Sequence, residues 1–361
     1  MARRTGTATL PLHSGRTPRW LFRRMTELAR ALTEAIVIEH GATAFLERLA
    51  DPFWFQAFGC VLGFDWHSSG VTTTACGALK AGLAGAEADT TIYVAGGKGA
   101  ASRKTPVELR EHTARLGLDG ESLVYASRMS AKVDSAAVQD GYQIYHHSFF
   151  FTAKGDWAVV QQGMQEADRS ARRYHWLSRQ VSDFVCEPHA AICSERRGRV
   201  ALNLVAEESA GARVAAAEIA REKPETVQRE VSDILRLELP ERHHVDARRD
   251  VSPRNLSKVL LTTYEAQPAD FEALLALNGV GAKTIRALAL IAELAHGQPA
   301  SFRDPARFSF AHGGKDGHPF PVDRESYDRS IDWLRDAVGR ARIGNSDRLQ
   351  ALRRLARWEA P

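Results

Sequence analysis

Residues 141–164, GYQIYHHSFFFTAKGDWAVVQQGM, decide the sheet part of the fold. Two β-rich runs, GYQIYHHSFFF and DWAVVQQGM, flank the short glycine-containing link TAKG, the clearest β-hairpin signal in the chain. Alternation along the first run puts Ile144, His146, Ser148 and Phe150 on one face and Tyr145, His147, Phe149 and Phe151 on the other. At most one of the two adjacent histidines can therefore belong to a given site.

Upstream of this hairpin the spacing predicts a helix over 18–49 that starts at Pro18, with Trp20, Leu21, Met25, Leu28, Leu32 and Ile36 recurring at helical spacing. The aromatic run DPFWFQAFGCVLGFDW at 51–66 reads as core, VTTTACGALKAGL as a small-residue helix, and TIYVAGG as a short buried strand. Thr105, Pro106 and Glu108 form the pattern of a capping box, and another helix is expected over 121–138. Downstream, a helix is expected at 165–180, a strand at RVALNLV, and helices at 207–220 and 224–237. The polar stretch 238–252 separates this part from a run of helices at 253–266, 270–276, 282–296, 325–339 and 346–358. The expected architecture is an α+β or α/β domain over 1–240 followed by an all-α domain over 241–361.

The chain has 361 residues, 44% hydrophobic and 25% charged, which is the balance of a globular protein and excludes fibrous or extensively disordered classes. No apolar run reaches the ~20 residues of a membrane span, and the N-terminus lacks a signal peptide's apolar segment, so a cytoplasmic, nucleoid-associated location is expected. The four cysteines form no C-x-x-C pair and read as reduced. Net charge is +4, with six arginines between 340 and 361. That cluster alone reads as a solvated helix face.

Chemistry concentrates first in FEALLALNGVGAKTIRALALIAEL, residues 271–294. A helix, a tight glycine turn and a second helix from Ala282 resemble a helix-hairpin-helix DNA-binding motif. Gly279, Val280 and Gly281 would let backbone approach a phosphate, and Lys283, Thr284 and Arg286 follow on the second helix. Such contacts hold the backbone without reading sequence. The pattern is also similar to the endonuclease III-like branch of the DNA glycosylases. That resemblance implies a lysine nucleophile at Lys283 and a catalytic aspartate at Asp323 in HPFPVDRES.

The second concentration lies upstream. GFDWHSSG places Asp65 and His67 two residues apart, and AGGKGAASRKTP brings Lys98 into a glycine-rich, basic stretch that could cradle phosphate. SRMSAKVDSAAVQDGYQIYHH supplies Lys132, Asp134, Asp140 and His146. Carboxylates, a histidine and lysines on a sheet are the equipment of metal-dependent phosphodiester hydrolysis. Asp65, His67, Asp134, Asp140 and His146 would hold a divalent ion (Mg or Mn), while Lys98 and Lys132 steady the transition state.

The phrases LPLHSG, DPFWFQAFGCVLGFDWHSSGVTTT, RKTP, SRMSAKVD, WAVVQQGM, ARRYHWLS and GGKDGHPFPVDR resemble a bacterial and archaeal family catalogued as domain of unknown function 763. The resemblance spans nearly the whole chain and implies a DNA-processing protein of the helix-hairpin-helix kind. The expected function is a metal-dependent DNA nuclease acting on distorted or partly unpaired DNA. A glycosylase or abasic-site lyase and a non-catalytic DNA-binding protein stand as alternatives. DNA is the expected partner, no membrane is involved, and a homodimer stays open.

Overall fold

The computed structural model describes residues 17–63, 70–167, 170–194, 200–234, 236, 253–306 and 324–359. Its centre is a five-stranded antiparallel sheet in the order β1-β3-β4-β5-β6. The strands are β1 (Ile92–Lys98), β3 (Gln143–Thr152), β4 (Trp157–Gln165), β5 (Ser170–Leu177) and β6 (Ala191–Ser194). A separate pair joins β2 (Val138–Gln139) to β7 (Leu202–Asn203). The architecture is α+β, and every named strand pair is antiparallel.

The hairpin forms as its sequence requires. β3 pairs with β4 from Gln143↔Met164 to Phe151↔Trp157, with one irregularity between Ile144 and His146. Phe149, Phe150 and Phe151 are fully buried because helices cover both faces of the sheet. Phe150, Ala158 and Val160 pack under helices Arg19–His40, Ala42–Ala50, Pro52–Leu62 and Gly70–Leu83, joined by Ile331, Leu334 and Leu355 from the last two helices. Phe149, Phe151, Val159, Tyr174 and Trp176 face the other way, toward helices Glu121–Lys132, Ala210–Ala220 and Ala282–Leu294. Each phenyl contributes about 1.5–3 kcal/mol by leaving water. The core on this second face takes residues from Ala95 to Ala306, so it draws on chain either side of position 240.

Three local expectations are corrected. The helix over 18–49 breaks at Gly41, whose φ of 86° suits glycine, and resumes at Ala42. The segment expected as a helix at 165–180 is strand β5, paired with β4 from Gln165↔Ser170 to Ala158↔Leu177. Both of its faces are buried, and Arg172 and Arg173 lie inside, so neither polar alternation nor exposed charge marks it as a strand. The capping box at Thr105 does not form. Its hydroxyl donates back to Ser102, while Glu108 instead accepts from Lys80 (2.6 Å) and the Gly96 amide (2.8 Å). Among the described residues no helix is long and apolar enough to cross a membrane.

Candidate functional site

Helix Glu121–Lys132 ends in one turn of π-helix, Val133–Ala137. This wider turn is rare and recurs at functional sites. Here it separates two side chains by task. Lys132 reaches away from the sheet to the turn between helices Phe271–Ala276 and Ala282–Leu294, and Asp134 reaches into the sheet.

Asp134 is fully buried and holds three donors. One oxygen accepts from Gln161 Nε2 (2.5 Å) and Trp176 Nε1 (3.0 Å), and the other meets His189 Nε2 at 2.5 Å. The Gln161 amide also donates to the Ser130 carbonyl, so its oxygen faces His147 Nδ1 at 2.7 Å. That assigns the proton to Nδ1, and the Ser127 hydroxyl then donates to Nε2 across 2.9 Å. Burial pushes the His147 pKa down to about 4, opposed by the bond to Gln161, and keeps the ring neutral. With Asp134 as the carboxylate, His189 donates through Nε2, which leaves Nδ1 as its acceptor nitrogen. His189 also borders a cavity of about 190 Å³, with Asn203, Ile192, Arg303 and Asp304 among its walls.

A second buried group ties that cavity's rim to the sheet. Arg172 donates to Asp140 and to Asp304, each at 2.9 Å. Tyr174 donates to the same Asp140 oxygen at 2.7 Å. Burial opposes the charge of Arg172, yet the two carboxylates and Tyr174 hold its pKa above the usual value. Burial wins at Asp140, whose pKa is raised in spite of Arg172. Asp304 further accepts from the Ala306 amide at 2.9 Å, and its bond to Arg172 ties the segment after helix Ala282–Leu294 to β5.

The turn Leu277–Gly281 connects two helices anchored in the core by Phe271, Leu274, Leu275, Val280 and Ile285. Asp270 caps the first helix, accepting from the Ala273 amide at 2.8 Å. Gly279 has a φ of 86°, the left-handed conformation that favours glycine. Gly281 is extended, with a φ of −139°, and opens the second helix with no side-chain cap. A Cβ there would meet nothing within 4 Å. Lys132 Nζ donates to the carbonyls of Leu275 (2.7 Å), Leu277 (2.5 Å) and Val280 (3.1 Å), and burial lowers its pKa. Gln139 bridges the second helix by donating to the Ala282 carbonyl (2.8 Å) and accepting from Arg286 Nε (2.7 Å).

Of the residues singled out as DNA contacts, Gly279, Gly281 and Lys283 lie at the turn or just past it, and Lys283 is exposed. The Val280 and Thr284 side chains are buried. Asp134 and His147 share one face of the sheet. His146 lies on the other, with Ser148 Oγ 3.1 Å from its Nε2, and burial together with the charges of His147 and Lys98 pulls its pKa down to about 3. Asp140 is engaged by Arg172 and Tyr174. Asp134, Asp140 and His146 are therefore three separate positions, and their donor sets do not fit one divalent ion. Among the described residues no group of three or more histidines, cysteines, aspartates or glutamates is arranged to hold a metal.

Lys98 is exposed at the end of β1, opposite His146 in register and 5.9 Å from the centre of the Tyr145 ring. The glycine stretch beside it serves close packing. A Cβ on Gly96 would stand 2.2 Å from the His147 carbonyl oxygen. Asp65, His67 and Asp323 lie outside the described residues. Neither Asp304 nor His189 stands in a local motif that marks it as functional. The signal for Asp304 is faint because its partner Arg172 stands 132 residues away.

No curated protein and no solved structure matches the chain. A family described as "Protein of unknown function (DUF763)" matches residues 6–322, most of the sequence. The chain belongs to that family.

Proposed function

We propose that the protein is a DNA-processing enzyme that grips the sugar–phosphate backbone on the turn Leu277–Lys283 and hydrolyses phosphodiester bonds. The observation that carries the binding half is the start of helix Ala282–Leu294, which Gly281 opens without a side-chain cap beside the exposed Lys283. Amide N–H groups at a helix N-terminus, aided by the helix dipole, suit a phosphate. The glycine leaves room for the backbone to come close. Such binding is independent of base sequence and sensitive to salt.

The catalytic half falls to Asp134 and His189. A buried carboxylate orients the ring through Nε2, and Nδ1 is left to take a proton from water, the arrangement of a general base. The cavity that His189 borders supplies a place for the reacting group. No step is assigned to a divalent ion at Asp134, Asp140 and His146, since those residues do not converge.

The test uses labelled duplex, single-stranded, bubble and abasic DNA with Mg²⁺, Mn²⁺ or EDTA. The reading expects salt-dependent binding to all duplex forms, with cleavage lost in His189→Asn while binding persists. Binding without cleavage on every substrate and ion would leave the protein a non-catalytic DNA binder. A borohydride-trapped adduct that vanishes in Lys283→Ala would move the chemistry to lyase.

A further inference from the structure

The cavity that His189 borders holds a buried group that a general base does not use. Asn203, in β7, lines that cavity and is only 5% exposed. Its backbone N–H donates to the Ser301 carbonyl (2.8 Å), and its side-chain Nδ2 donates to the Arg303 carbonyl (3.4 Å). The second bond sets which way the amide faces, and Oδ1 is left buried with no partner among the described residues. Buried acceptors are nearly always satisfied, so one left over on a cavity wall points to a donor that a ligand brings. Asp304, on the same wall, offers no second acceptor of this kind, because Arg172 and the Ala306 amide take its two oxygens. Ile192, Val205, Ala206, Pro305 and Ala306 make much of the remaining lining apolar. Arg303 is exposed at the edge of the cavity, where it pairs with Glu208 at 3.2 Å.

We propose that this cavity is a pocket for one amino-bearing nucleobase, adenine or cytosine, of a nucleotide that is either free or an unpaired residue of a strand. A volume of about 190 Å³ is below the ~300 Å³ at which sites for larger ligands begin, and suits a single ring system. Apolar walls cover the faces of such a ring, and an acceptor at its edge reads it. In adenine and cytosine the exocyclic amine lies on the side of the ring away from the sugar. The amine therefore reaches the buried Asn203 Oδ1 while the phosphate stays outside, near Arg303. Hypoxanthine and uracil carry a carbonyl at the same place and would set oxygen against oxygen. A base enters only when it is out of its stack, which accounts for a preference for distorted or partly unpaired DNA. His189 Nδ1 takes no part in holding the base and stays available to water. The inference rests on the reading of this cavity as the place of reaction and adds what fills it. Its test is binding without cleavage, so the pocket and the general base fail separately.

The experiment is titration calorimetry in EDTA of wild type and Asn203→Ala with AMP, IMP, CMP and UMP, and with oligothymidylates that are uniform or carry one central dA or dC. Wild type should bind AMP over IMP, CMP over UMP, or the dA and dC strands over the uniform one, by roughly tenfold or more, since the oxo bases leave a buried acceptor unpaired. A preference among the mononucleotides assigns the pocket to free nucleotides, and one confined to the strands assigns it to DNA. Asn203→Ala removes the orphan acceptor, so its urea unfolding should match wild type while the preference disappears. Equal affinity of wild type for amino and oxo bases in both series, or no binding in either, would overturn the pocket. A preference that survives in Asn203→Ala would overturn it as well. Should that variant not fold, the paired ligands on wild type decide alone. Affinity for the uniform strand reads the backbone grip separately.

Discussion

Gly281→Ala separates fold from binding at the turn. The φ of −139° lies in ordinary extended backbone, and the added Cβ meets nothing within 4 Å, so the methyl brings neither strain nor a clash. Alanine is the poorer N-cap by up to ~1 kcal/mol. The stiffer unfolded chain returns about 0.4–1 kcal/mol, so net stability should stay within about 1 kcal/mol of wild type. The same methyl stands where a phosphate would approach the first amides of the helix. Loss of one charge-assisted hydrogen bond, about 1.5–3 kcal/mol, corresponds to a roughly ten- to hundredfold weaker Kd. Gly279→Ala reverses the pattern. Its φ of 86° makes any side chain costly by roughly 1–2 kcal/mol, while its Cβ meets only Val259 at an ordinary 3.6 Å. Anisotropy with labelled duplex, paired with urea unfolding of the same samples, reads both quantities. Wild-type affinity in a folded Gly281→Ala protein would refute the reasoning.

Other consequences follow from the buried polar groups. Asp134→Ala strands the donors of Gln161, Trp176 and His189 and should cost roughly 3–5 kcal/mol in chemical unfolding, whereas Asp134→Asn, which keeps the volume, should cost less and still lose cleavage. Asp304→Ala leaves half of Arg172 without a counter-charge, and accelerated proteolysis over 301–306 is the expected readout. Burial depresses the pKa of His146 to about 3 and of His147 to about 4, both below the ordinary 6.5. The unfolded chain then binds protons first as pH falls, so each ring's contribution is complete above about pH 6.5 and declines below it. Between pH 7 and 5.5 each should remove on the order of 1 kcal/mol, and His147→Gln should flatten that slope in pH-dependent urea unfolding.

How much the sequence discloses depends on where each residue's partner lies. The β3–β4 hairpin is legible because its turn and its alternation are local, and so are the helices flanking Gly279 and Gly281. β5 is not, because Arg172 and Arg173 look like a surface helix until the carboxylates and the backbone that meet them are known. Lys132 was visible as a lysine near carboxylates, but its acceptors are main-chain oxygens that no residue type encodes. Asp134 was visible as well. What could not be read is that a single turn of π-helix sends it to the sheet while Lys132 goes to the turn.

The most direct measurement of the central claim is hydrogen exchange with and without a saturating DNA duplex at about 50 mM salt, where backbone contacts are strong. The account predicts that the amides of Gly281 to Thr284 slow on binding, and that the effect fades as salt weakens the complex. A duplex that binds with unchanged exchange over those four residues would contradict it.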